Sequence, residues 1–305
     1  MRIGSKSLFA ALAFFCFAAI ANDPVVARLV PEPDSAREQN RIAERYVLPI
    51  TPAVDQGDSD LCWVYATLAM LETDYLQRHP HSRIALSAGA LQLDTIADRF
   101  VRHIRGERIR LEEGGLAIEA LNLIRQNGLV ARADFHDVVD ASPVYASVRR
   151  TLARRPKPPD KLQALRRQLA ARLGAKPAST HLDGRVVTPA QLAQAMLGAR
   201  QWIEFDLARN GAQGWGPSRD PDARGDSRVL YVDLSRMIGL IHGSLARGQA
   251  VVAGSKDHSL LIHGGDYDKD GRPIAYMIKD SLPPYAYRVS AEKLHRILND
   301  VTVAF

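Results

Sequence analysis

The apolar positions of Cys62-Trp63-Val64-Tyr65-Ala66-Thr67-Leu68-Ala69-Met70-Leu71-Glu72-Thr73-Asp74-Tyr75-Leu76 recur every three and four residues, which predicts a long helix. Asp58, Ser59 and Asp60 lie just ahead of it and offer N-cap oxygens. A second helix is expected over 116–126, with Asn127-Gly128 as its stop signal. Asp160 caps a predicted helix through Leu173, and Thr188-Pro189 opens another through about residue 208, with Pro at the favoured first position. Residues 210–226 are rich in Gly, Pro and Asp and read as a loop. A helix over 235–247 ends at Gly248. The period then shortens to apolar runs at 250–254, 259–262 and 274–278, the second and third joined by the turn-rich Asp266-Tyr267-Asp268-Lys269-Asp270-Gly271. No internal repeat is evident.

The N-terminus has a different character. Arg2 and Lys6 precede an apolar run over 8–20 that ends in Ala19-Ile20-Ala21. This pattern predicts a signal peptide over 1–21, cleaved after Ala21, and hence a secreted or periplasmic protein without a membrane anchor. The run is shorter than the roughly 20 apolar residues a spanning helix needs. Residues 22–48 read as a polar leader segment, and 140–226, broken by a Pro-rich basic stretch, as a helical insertion between a helical part (49–139) and a β-rich part (227–305).

Charge adds little. The formal net charge of +6 becomes +4 without Arg2 and Lys6, and the excess is concentrated between Arg149 and Lys176, where Asp160 is the only acid. No aromatic residue interrupts that stretch to stack on bases, so a solvated helix face is expected rather than a nucleic-acid surface. Cysteine adds more. Removal of the first 21 residues takes Cys16 away and leaves Cys62 alone. A single thiol in an exported chain is a reactive group, an intermolecular partner or a small core residue. Cys62 stands at the predicted start of a helix, where unpaired amides and the helix dipole favour a thiolate. A thiolate nucleophile needs an imidazole partner. His79, His81 and His103 sit in charged stretches and read as surface residues, and His242 as helix packing. His258 stands at a loop-to-strand junction, between Lys256-Asp257 and an apolar run, where a catalytic group could be held.

These segments resemble the papain-like cysteine peptidases. In Gln56-Gly57-Asp58-Ser59-Asp60-Leu61-Cys62-Trp63 a Gln precedes the cysteine by six residues and Trp follows it, as in the family. Glu113-Gly114-Gly115-Leu116 resembles the Gly-Gly stretch lining the family's cleft. Asp257-His258-Ser259-Leu260-Leu261-Ile262-His263-Gly264 resembles its histidine strand, and Tyr276-Met277-Ile278-Lys279-Asp280-Ser281 the strand that follows. The closest flavour is the bacterial branch related distantly to bleomycin hydrolases. The resemblance implies a two-lobed α+β fold, with a helical lobe carrying Cys62 and a β-rich lobe carrying His258. It implies Cys62 as nucleophile, His258 as base and then acid, Asp280 as orienting partner and Gln56 as oxyanion donor. Gly114, Gly115, Trp63 and Asp257 would meet a peptide or protein substrate.

Departures are visible. Ser59 replaces the family's usual cysteine, Asp60-Leu61 its Gly-Ser, Asp280 its triad Asn, and Leu282 a Trp. The Cys-to-His gap also exceeds the roughly 130–150 residues from cysteine to histidine in cathepsin-like enzymes. A Cys-His-Asp set also fits a transglutaminase-like acyl transferase, and the altered residues permit a papain-like scaffold kept for binding. Asp266-x-Asp268-x-Asp270-Gly271 copies half a calcium loop, but Met277 stands where its bidentate Glu is expected, so a hairpin turn is predicted. Without a His-Glu-x-x-His, a paired-Cys motif or a phosphate-binding Gly loop, neither metal nor cofactor is expected.

Overall fold

The computed structural model describes residues 36–109, 111–137, 141–154, 158–218 and 228–305. The predicted signal peptide and its cleavage site lie outside the described residues. In chain order the elements are α1 (Ala36–Gln39), β1 (Glu44–Val47), α2 (Cys62–Arg78), α3 (Ala88–Ile104), α4 (Ala117–Asn127), α5 (Ser142–Ala153), α6 (Pro158–Leu173), β2 (Thr180–Leu182), β3 (Arg185–Val187), α7 (Pro189–Leu197) and β4 (Trp202–Leu207). Then follow β5 (Gly214–Pro217), β6 (Arg228–Val232), α8 (Leu234–Ala246), β7 (Val251–Gly254), β8 (Ser259–Tyr267), β9 (Pro273–Lys279), β10 (Ala286–Ser290), α9 (Ala291–Ile297) and β11 (Asp300–Ala304).

α2 is buried from Trp63 through Leu76, so it is a central helix rather than a surface one. It packs against β7 and β8 on one side and against α3, α4 and α7 on the other. Its core is continuous with the main sheet, whose strands run in the order β10-β9-β8-β7-β11-β4-β6-β5, with β1 also on β8. A second core joins α3 to α5 and α6 through Ile96, Phe100, Val148, Leu165 and Leu169.

The structure departs from the sequence expectations in four places. The helix opened by Thr188 stops at Leu197, because Gly198 takes φ 60° there. Residues 202–207 instead form β4, whose Phe205 lies between Val301 of β11 and Leu230 of β6. The loop expected over 210–226 contains edge strand β5, and its residues 219–227 lie outside the described ones. The block read as a helical insertion therefore also supplies sheet strands. Within the segment read as a leader, Glu44–Val47 pair with Tyr267–Gly264 of β8. Finally, Asp58, Ser59 and Asp60 do not cap α2: Leu61 occupies the N-cap and no side chain bonds the first amides.

Candidate active site

Three elements converge at the start of α2. Cys62 is its first residue and is half-buried. His258 directly precedes β8, after the turn from β7, where the Ser255 N–H donates to its carbonyl at 2.7 Å. Asp280 follows β9 directly. The antiparallel pairing of β8 with β9, Leu261 opposite Lys279, brings the last two together. His258 Nε2 donates to Asp280 Oδ1 at 2.8 Å, and both side chains are 4% exposed. That bond fixes the tautomer and leaves Nδ1 for the sulfur, with which His258 also hydrogen bonds.

Burial alone works against the His258 cation. The hydrogen bonds with Asp280 and Cys62, and the negative charge on each, outweigh it and raise its pKa to about 10. Asp280 is itself held: Leu282 N–H donates to Oδ1 at 3.1 Å and the Tyr287 hydroxyl to Oδ2 at 3.0 Å. Burial, followed by the Asp280 charge, raises the Tyr287 pKa, so the phenol stays protonated as the donor.

Gln56 is buried behind the cysteine loop. Its Nε2 donates to the Ser59 carbonyl at 2.5 Å, while its Oε1 accepts from the Ser281 hydroxyl at 2.6 Å. A carboxamide has two N–H donors, so one remains uncommitted by these contacts. Gly114 is exposed and Gly115 half-buried, just ahead of α4. Asp257 is exposed next to His258.

Trp63 corrects an expectation. Its side chain is 0% exposed and cannot meet a substrate. It lies under the glycines instead: its Nε1 donates to the Glu113 carbonyl at 2.9 Å, and a Cβ on Gly115 would sit 2.8 Å from its ring.

The sequence reading missed the supports of this wall. Arg99 is wholly buried, pairs with Glu119 at 3.0 Å, donates to the Gly114 carbonyl at 2.7 Å and lies 5.8 Å over the Trp63 ring. Glu113 accepts from the Asp60 N–H at 3.2 Å, tying the wall to the cysteine loop. A buried clasp lies deeper. Lys279 donates to the Thr51 hydroxyl at 2.7 Å and sits 3.7 Å from Glu72, which also accepts from Thr51 and from the Leu86 N–H. The clasp joins the segment leading to Gln56, the helix headed by Cys62 and the strand ending at Asp280. Burial pushes the Glu72 pKa up and that of Lys279 down, against their mutual attraction. The signal was legible in part, since Glu72 interrupts an apolar run and Arg99 falls four and three residues after buried Thr95 and Ile96.

The calcium-like segment is a turn: Asp268 Oδ1 accepts from the N–H groups of Asp270 and Arg272, and Asp266 is held by Arg45 and Arg288. His242 stacks on Tyr267 at 4.1 Å, as a packing residue should.

No family model and no curated protein matches the chain. Solved structures do. PepW from Lactobacillus rhamnosis is 15% identical and aligns over 92% of this chain and 84% of its own, with a TM-score of 0.67. The proform of the ragweed pollen cysteine protease Amb a 11 is 13% identical over 87% of this chain and 66% of its own, at a TM-score of 0.44. Bromelain from Ananas comosus is 12% identical over 87% of this chain and 94% of its own, at 0.40. The chain has the two-lobed, mixed α+β fold of the papain-like proteases.

Proposed function

We propose that this chain is a cysteine-type peptidase, exported to the periplasm or beyond, that cleaves peptide bonds through a thioester on Cys62. One observation carries the reading: His258 stands between the sulfur of Cys62 and the carboxylate of Asp280, at the uncapped N-terminus of a buried helix. An adjacent imidazolium and free helix amides both favour a thiolate.

The thiolate attacks the scissile carbonyl. The Cys62 N–H and the second N–H of Gln56 then donate to the developing oxyanion. His258 gives its Nδ1 proton to the leaving amine, and the neutral imidazole takes a proton from the water that hydrolyses the thioester. Asp280 keeps the ring oriented throughout and stabilises the imidazolium between the two transfers. The pocket of about 30 Å³ beside Asp280, lined by Tyr65, Glu72, Lys279 and Asp280, is too small for a peptide. Substrate therefore lies in the groove bounded by Gly114-Gly115 and by the turn carrying His258.

Mass spectrometry of a peptide library incubated with wild type and Cys62→Ala tests the reading. New termini with wild type alone are expected. An intact library with both proteins rules the peptidase out. Asp in place of Asn at 280 also suits acyl transfer to an amine, and an added amine appearing in the products would favour that reaction.

A further inference from the structure

Away from the cysteine, at the other end of α2, a recess of about 730 Å³ opens between two stretches of chain. Pro49, Ile50 and Pro52 line one side, Pro80 and Ile84 the other, and Leu76 of α2 joins them. Leu76 comes fourteen residues after Cys62, about 21 Å along the helix axis. Both sides are tied to one buried carboxylate. The Thr51 hydroxyl, between Ile50 and Pro52, donates to Glu72, and the Leu86 N–H, two residues past Ile84, donates to it at 2.7 Å. The recess is therefore preformed, and its size falls within the roughly 300–1,000 Å³ of small-molecule sites.

Its polar groups are few and of one kind. No Asp or Glu lines it. Arg83 and Gln77 do, both exposed, and among the described residues neither side chain has a hydrogen-bond or ion-pair partner. The other two polar side chains are committed, Thr51 to Glu72 and Lys279, and Ser82 to Asp183 at 2.6 Å. Asp183 belongs to the adjoining opening, where it also accepts from the Tyr75 hydroxyl at 2.9 Å. The recess thus offers a free guanidinium and a free carboxamide at the edge of an apolar surface. Pro49, Pro52 and Pro80 have no N–H to give. Such walls would leave the carbonyls of a peptide main chain unpaired, whereas a saturated chain asks for no donors.

We infer that this recess binds an aliphatic carboxylate, a fatty acid of medium chain length, with its hydrocarbon along Ile50, Leu76 and Ile84 and its head group on Arg83 and Gln77. A carboxylate accepts from both donors and meets the one uncompensated charge of the recess. Each methylene taken out of water strengthens binding by up to about fourfold. Binding there needs neither Cys62 nor peptidase activity.

Isothermal titration calorimetry of the full chain with sodium decanoate, sodium hexanoate and decylammonium chloride, each kept below micelle formation, tests this. Decanoate is expected to bind about tenfold or more tightly than hexanoate, which lacks four methylenes, and than decylammonium, which brings a cation up to Arg83. Arg83→Gln is expected to weaken decanoate by about tenfold. Methyl NMR spectra of the wild type are expected to show the Ile50 and Ile84 signals moving as decanoate is added. Should Arg83→Gln fail to fold, the decanoate and decylammonium affinities of the wild type, with the methyl shifts, decide the matter. No binding of decanoate by either method, equal affinity for decylammonium, an affinity unchanged in Arg83→Gln, or shifts that spare Ile50 and Ile84 would each overturn the inference.

Discussion

Asp280 is where the chemistry of this site is most specific to the chain. A carboxylate in place of a carboxamide adds charge to the same hydrogen bond, and charge is part of what holds the His258 pKa near 10. Asp280 stabilises the protonated ring, so its removal lowers the His258 pKa. Activity that depends on the imidazolium is present below that value and lost as pH rises through it. The alkaline limb of kcat/KM is expected near pH 10 in the wild type and at lower pH in Asp280→Asn, by about one to three pH units. An unmoved limb in a pH-rate profile would contradict the role given to Asp280. Gln56→Ala is expected to lower kcat by about 10²–10³-fold with KM little changed, the pattern of a lost oxyanion donor. A matching loss in KM alone would make Gln56 a binding residue.

At the scale of elements, the wall of the groove makes a sharp contrast between two adjacent glycines. A Cβ on Gly114 meets nothing within 4 Å, whereas one on Gly115 meets the Trp63 ring at 2.8 Å and Glu119 at 2.9 Å. Gly114→Ala is expected to unfold at the wild-type temperature, and Gly115→Ala to lose about 1–3 kcal/mol, the usual cost of overpacking, both read by thermal unfolding. Equal stability of the two variants would mean that Trp63 and Glu119 do not hold the loop as described. The helical period of α2 and the stop at Gly128 were legible because they depend on neighbours in sequence. The strand at 202–207 was not, because its pattern is set by β11 and β6, which come from later in the chain. Trp63 was misassigned for a related reason. Its spacing from Cys62 is written in the sequence, but whether it points at substrate or beneath Gly115 depends on Glu113 and Arg99, about 50 and 36 residues away in sequence.

For the whole molecule, the site exists only because the lobes are held in one relation. The Thr51–Glu72–Lys279 clasp crosses between them beneath the groove. Glu72 stood out within its apolar run, but the pairing could not be read from the sequence, since Lys279 lies more than 200 positions from both Thr51 and Glu72. Lys279→Met leaves Glu72 buried without its cation and is expected to cost about 3–5 kcal/mol in denaturant unfolding, and to slow labelling of Cys62 as well. Stability within about 0.5 kcal/mol of wild type would show that the clasp does not join the lobes. Order along the chain, by contrast, already announced a Cys-bearing helix first and a His-bearing strand last, and the fold brings these two ends into contact. The most direct test of that contact is the rate at which a thiol-reactive peptide electrophile labels the full chain, followed by intact mass and by digestion. A single adduct on Cys62, slowed by about 10²-fold or more in His258→Ala, is the predicted result. An adduct that forms as fast without the imidazole, or no adduct on Cys62 under reducing conditions, would contradict the account.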